Sequence, residues 1–254
     1  MPNDMRDAPW RGYGAVMVRS GAVEYHSPVP QMLITPLPKN LIDAIADAGV
    51  DLDDVAREAG IDQEALESGV TFAQAGRFIG VAWRRLDDPA FGLRAGCVLR
   101  PERYGISGLT AMASPTFGAA LQRKARYNRL VWGDIYRIRQ DAKEFTVAAE
   151  APDESNPWGY SKVDMEFASL LTFGRRFASA AMAPIKVVLR RPRPSFVALY
   201  EQIFRCPIAF AQPINSINFS QADALRPLIS ADHRAAQWLE FGARAAREQM
   251  DDGS

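Results

Sequence analysis

The chain has 254 residues, 48% of them apolar, and balances 30 basic against 30 acidic side chains. It is long enough to bury a sizeable core, carries no net charge that would draw it to nucleic acid or an anionic surface, and lacks the run of about 18 apolar residues that a membrane span needs. Two cysteines (Cys97, Cys206) and two histidines (His26, His233) stand at no metal-ligand spacing. The cysteines read as small buried apolar groups in a reducing, cytoplasmic setting, and no cofactor is called for.

Residues 1–35 mix Pro, Gly, Arg and scattered aromatics without a period, and read as a flexible extension. Order begins near Pro38. Asn40 suits the N-cap of a helix carrying Leu41, Ile42 and Ile45, which Gly49 ends. Short helices follow over 52–59, stopped by Gly60, and over 63–67. The stretch Val55 to Ile61 has the Ala/Gly spacing of a helix-turn-helix. However, Asp51, Asp53, Asp54, Glu58, Asp62 and Glu64 surround the single Arg57 and would repel a polyphosphate. A small helical packing unit is the better reading. Thr71 and Gln74 form a capping box ahead of a stripe made by Phe72, Ala75, Ile79, Ala82, Trp83 and Leu86, and Asp87-Asp88-Pro89 ends that helix. Phe91-Gly92-Leu93 and Gly96 read as a connection.

Gly105 and Gly108 suggest a tight turn beneath a sheet. Ser114 then suits an N-cap and Pro115 the first position of a helix over 115–130. Phe117, Leu121 and Ala125 face inward there, and Arg123, Lys124, Arg126 and Arg129 face water. The period changes to two for strands over 134–139 and 144–149, a hairpin. A polar loop over 151–158 leads into the clearest helix, with Val163, Phe167, Leu170, Leu171, Gly174, Phe177 and Ala178 on one stripe. Residues 185–189 form a short strand. Arg190, Arg191 and Arg193 read as its solvated end, or alternatively as an anion or partner contact. A helix through Phe196, Leu199, Tyr200, Ile203 and Phe204 precedes strands at 208–210 and 217–219, turned by Gln212-Pro213. Residues 225–228 are irregular, and a last helix over 232–250 carries Trp238 and Leu239.

The expected fold class is α+β: a mostly antiparallel sheet of about five short strands, adjacent strands pairing, packed by helices on one side and preceded by a small helical subdomain. The units are residues 36–230, with 36–100 helical and 101–230 α+β, and a terminal helix over 231–254. No nucleophile elbow, phosphate loop or His-Glu-x-x-His motif is present. Asp164 and Glu166, two residues apart, do not share a helix face and read as solvated. Together with the aromatic-rich middle of the chain, they are the basis of an alternative reading as a small-molecule enzyme. Apolar and aromatic residues near loops (Met112, Tyr127, Trp132, Tyr136, Trp158, Tyr160 and Phe167) are the candidate ligand contacts, although core packing would produce the same pattern.

Three stretches together carry a resemblance. They are Asp87-Asp88-Pro89-Ala90-Phe91-Gly92-Leu93; then Gly105-Ile106-Ser107-Gly108 through Ser114-Pro115-Thr116-Phe117-Gly118-Ala119-Ala120-Leu121 to Arg126-Tyr127; then Tyr200 to Phe210, Asn215 to Phe219, Leu225-Arg226-Pro227-Leu228 and Asp232. In this order over about 38–240, the chain resembles the N-terminal, arabinose-binding-like domain of AraC/XylS-type transcription regulators. The resemblance implies a non-enzymatic domain that binds a small effector and supports homodimers. It also implies a tandem helix-turn-helix domain beyond the last residue here, through which alone DNA is reached. The chain is then either an excised or a stand-alone sensor.

Overall fold

In the computed structural model, residues 34–35, 37, 39–98, 100–127, 135–150 and 157–252 are described. The first helices build a small core of their own. Strand β1 (Ile34–Thr35) precedes α1 (Lys39–Asp47), α2 (Leu52–Ala59) and α3 (Gln63–Ser68); β2 (Val70–Thr71) runs straight into α4 (Phe72–Leu86). The polar punctuation works as the residue types demand. The Asp51 carboxylate accepts from the backbone N–H groups of Asp53 and Asp54, at 2.9 and 3.1 Å. Gly60 closes α2 in the left-handed region at φ 69°, where a Cβ would be strained. The Thr71–Gln74 capping box is complete. Leu41, Ile45, Val55, Phe78 and Ala82 fill the space between these helices. The acidic side chains that argue against DNA binding are tied locally: Glu58 pairs with Arg84 and Arg85, and Asp54 with Arg57. Two expectations shift here. Asn40 lies inside α1 rather than capping it. Ile34 and Thr35, assigned to the extension, pair antiparallel with Thr71 and Val70; the rest of the expected extension, 1–33, lies outside the described residues.

The glycine-bearing stretches are helices, not turns. Helix α5 (Phe91–Val98) and, after a 3₁₀ turn at Pro101–Arg103, α6 (Gly105–Met112) precede α7 (Phe117–Tyr127). Their glycines are contact points. A Cβ on Gly92 would sit 2.1 Å from the Ser161 carbonyl oxygen, one on Gly96 2.4 Å from that of Met165, and one on Gly108 1.8 Å from that of Pro101. A glycine that mediates close helix contact looks, in sequence, like one that breaks a helix. The helix start at α7 also differs from expectation. Ser114 donates to the Thr110 carbonyl at 2.8 Å and accepts from Arg123. Thr116 is the residue that caps, accepting from the Ala119 N–H at 3.2 Å. Pro115 and Phe117 instead bind the segment expected to be irregular, through Leu228 and Arg226 backbone groups at 3.2 and 3.0 Å.

Among the described residues, five strands form the main sheet in the order β3 (Ile135–Gln140), β4 (Glu144–Glu150), β7 (Asn215–Ser220), β5 (Lys186–Val188), β6 (Ile208–Ala209). The β3–β4 hairpin and the β4–β7 and β5–β7 pairs are antiparallel. The α+β expectation holds. Adjacent pairing fails for the last strands. Because α9 (Val197–Phe204) crosses over between them, β6 runs parallel to β5, and β7 passes to the far side of β5. A short α10 (Gln221–Ala224) follows β7, and α11 (His233–Asp252) ends the described chain. Tyr136, Ile138, Phe145, Val147, Val187, Ile217 and Phe219 face α7 and α8 (Pro157–Phe177) from the sheet.

Helix α8 is the central element. Its expected stripe, with Val163, Phe167, Leu170 and Leu171, packs into the sheet-side core. Its other side meets α5 and places Met165 in the helical core. Eleven consecutive residues, 161–171, are buried, so α8 is covered on all sides rather than amphipathic about water.

Candidate functional site

Burial of α8 on all sides overturns the solvated reading of its carboxylates. Asp164 is 1% and Glu166 3% exposed. A buried carboxylate needs a paired cation and hydrogen-bond donors, and each has them on a different side of the helix, as the spacing of two residues requires.

Asp164 meets Arg191 in an ion pair and accepts from the Tyr200 hydroxyl at 2.6 Å. Arg191 also donates to that hydroxyl at 2.6 Å. Its guanidinium lies 5.6, 5.1 and 5.7 Å from the ring centroids of Tyr160, Phe196 and Tyr200. Asn215 Oδ1 holds the adjoining backbone N–H of Arg190 at 2.8 Å. At Arg191 the basic cluster is therefore an internal counter-ion rather than a solvated strand end. Burial pushes the Asp164 carboxyl up to about 6, with Arg191 and Tyr200 acting against it. Burial and the neighbouring carboxylate push the Tyr200 hydroxyl above its usual range, so it stays a donor. Between the unfolded carboxyl value of about 4 and about 6, the folded chain holds a proton that the unfolded chain has released. The contribution of this group to stability therefore falls as pH rises through that window and levels off above it. Urea denaturation from pH 4 to 7 should show the stability difference between wild type and D164N declining over this range, and a flat difference would refute the assignment.

A cleft lies between α6, α7 and α8, and Glu166 is joined to it only through Lys124 of its lining. The cleft is small, with about 30 Å³ of space for water-sized spheres, and it opens to solvent. Ala111, Leu121, Leu170 and Phe173 supply its apolar wall, with Tyr104 and Lys124 at the polar end. Lys124 is not the water-facing residue its helix position suggested. Its ammonium sits 3.2 Å from Glu166 Oε2 and 5.1 and 5.2 Å from the ring centroids of Tyr104 and Tyr136. Tyr136 donates its hydroxyl to the same carboxylate oxygen. On the outer side of α7, Arg123 and Arg126 bind Glu240 of α11 at 3.3 and 2.8 Å.

The expected contacts separate accordingly. Tyr136 contacts Glu166 and Lys124 and is not part of the cleft lining, and Tyr160 belongs to the Arg191 cluster. Phe167 is core. Tyr127 is fully buried, its hydroxyl without a partner among the described residues. Met112 packs against the core and gives its carbonyl to Ser230 at 2.7 Å, away from the cleft lining. Trp158 stands in the first turn of α8. Trp132 and Arg129 lie outside the described residues. Lys124 and Glu166 were not among the expected ligand contacts. The available signal was a lysine one helical turn before an inward-facing Tyr127, and a carboxylate within the long apolar stripe of α8.

Residues 49–228 match the family model described as the arabinose-binding domain of AraC transcription regulators, N-terminal. The chain belongs to that family. The ornithine utilization regulator of Pseudomonas aeruginosa is 24% identical over 217 residues, covering 83% of this chain and 63% of that protein. The crystal structure of the transcriptional regulator CdpR from Pseudomonas aeruginosa matches with a TM-score of 0.55 and 19% identity, over 74% of this chain and 59% of the other, a likeness of fold. The chain thus spans about three fifths of the length of each of these regulators. The matched family is one of regulatory domains, not of enzymes. Among the described residues no helix is long and apolar enough to cross a membrane, and no group of three potential ligands could hold a metal ion.

Proposed function

We propose that the chain senses a small effector in the α6–α7–α8 cleft and passes the bound state to α11, as the cytoplasmic sensing and dimerisation domain of an AraC-type regulator whose DNA contacts lie in residues beyond this chain. One observation carries this reading. Helix α7 places Lys124 in the cleft wall while its neighbours Arg123 and Arg126 hold Glu240 of α11, so one rigid element touches both. A ligand that favours one position of α7 then biases α11 by linkage. The exposed Trp238 and Phe241 on α11, at 78% and 73%, support a homodimer through that helix. An enzymatic role gains nothing from the two carboxylates, since each is committed to a cation in the fold.

The test is a thermal-shift screen of the purified chain against a metabolite library, followed by hydrogen exchange with any hit. A ligand at about 100 times its Kd stabilises by about 2.7 kcal/mol, which raises Tm by several degrees in a chain of this size. Exchange should slow in α7 and change in α11. A library without a single stabilising compound sinks the reading.

A further inference from the structure

We propose that α11 is a clasped strap, hinged at Asp232, held down through the Glu240 carboxylate and released as a unit when that charge contact opens. The inference rests on the effector reading above and names the step at which α11 responds.

The apolar seat of α11 is thin. Among its described side chains, residues 233–242, only Ala236 is buried, and Ala235, Leu239 and Glu240 are half-buried. Ala236 and Glu240 stand one turn apart and share the inward side of the helix, which lies against α6 and α7. The bulky apolar side chains, Trp238 and Phe241, are exposed on the other side. An alanine methyl removes little area from water. The apolar hold on α11 is therefore small beside that on α8, where residues 161–171 are all buried.

Charge supplies the rest. Glu240 accepts from Arg123 at Oε2, at 3.3 Å, and from Arg126 at Oε1, at 2.8 Å. The side chains of Glu240, Arg123 and Arg126 are 20%, 21% and 47% exposed, near enough to water for salt to screen them. Each arginine keeps a partner when Glu240 leaves: Arg123 the Ser114 hydroxyl at 2.9 Å, and Arg126 the Tyr127 ring at 5.9 Å. The hinge, by contrast, is made of neutral bonds that salt leaves alone. The Asp232 N–H donates to the Ala113 carbonyl at 3.2 Å and the Ser230 hydroxyl to the Met112 carbonyl at 2.7 Å. Asp232 also caps α11, accepting from the Arg234 and Ala235 N–H groups at 2.9 and 3.0 Å. A helix fixed at one end and clasped by charge one turn past its buried alanine opens at a lower free energy than the fold around it.

Hydrogen exchange of the whole chain, without ligand and at one protein concentration, tests this. Raising NaCl from about 0.05 to about 0.5 M shortens the screening length roughly threefold. The amides of residues 236–242 should then exchange roughly fivefold faster or more, as two partly exposed ion pairs weaken, while α8 amides keep their rates. A detached helix exchanges fast because it is marginal in water. Glu240→Gln keeps the shape and an acceptor but removes the charge. It should show the faster exchange already at low salt, with no further response to salt. Rates in α11 that answer neither to salt nor to E240Q overturn the strap. Rates that rise equally in α8 also overturn it, since α11 then opens only with the whole fold. A salt response that survives in E240Q assigns the effect to other charges and overturns the role of Glu240. The wild-type salt series stands by itself should E240Q fail to fold. None of these outcomes touches the effector reading, which the ligand screen decides separately.

Discussion

Asp164→Ala should destabilise the chain by about 3–5 kcal/mol, the cost of leaving a buried charge without its partner. The residue left behind is Arg191, whose side chain is 11% exposed and whose Nε is buried with no partner among the described residues. Its remaining neighbours are the Tyr200 hydroxyl oxygen and three aromatic rings. Ring faces attract a guanidinium, but they do not replace a carboxylate accepting from it. Asp164→Asn keeps the shape and an acceptor and should cost less. The decisive variant is the double replacement Asp164→Leu with Arg191→Met, which removes both charges. It should recover most of the loss, because an ion pair exchanged for apolar side chains of similar size is close to neutral. Urea denaturation of the two single variants and the double variant gives the coupling directly. A D164A chain as stable as wild type would show that the pair lies in water.

The second large effect belongs to α5. Alanine at Gly92 or Gly96 would place a methyl group 2.1 or 2.4 Å from a backbone carbonyl oxygen of α8. Backbone cannot step aside as the end of a side chain can, so α5 must separate from α8. Each change should cost at least about 1–3 kcal/mol, read as a lowered urea midpoint. The control lies in the preceding helix. At Gly76 of α4 a methyl group would meet nothing within 4 Å, and Gly76→Ala should gain about 0.5–1 kcal/mol from helix propensity. Equal effects at Gly76 and Gly96 would dismiss the close approach.

These two cases also show what the residues alone could convey. Local devices were legible because the same residues make and read them: Gly60 ending α2, the Thr71–Gln74 box, the hairpin around Asp141, and the stripe of α8. What depends on a second element was not. Gly92, Gly96 and Gly108 read as breakers because the carbonyls they accommodate belong to other elements. Ser114 and Thr116 both suit a cap, and the choice was made by Arg123, Thr110 and the returning 226–228 segment. Strand order was lost where α9 intervenes. At the candidate site, Tyr136 could be chosen as an aromatic near a loop. Lys124 and Glu166 could not, since a charged side chain on a helix ordinarily faces water, and only the covering of α8 on every side makes these two exceptional.

That covering has a thermodynamic consequence. Met165 belongs to the helical core and its neighbours Val163 and Phe167 to the sheet-side core, so neither half can melt while α8 stays in place. The 36–100 segment and the 101–230 segment are expected to share one cooperative transition. The free energy a ligand adds at the cleft then reaches α1–α5, which it never touches, as protection against opening.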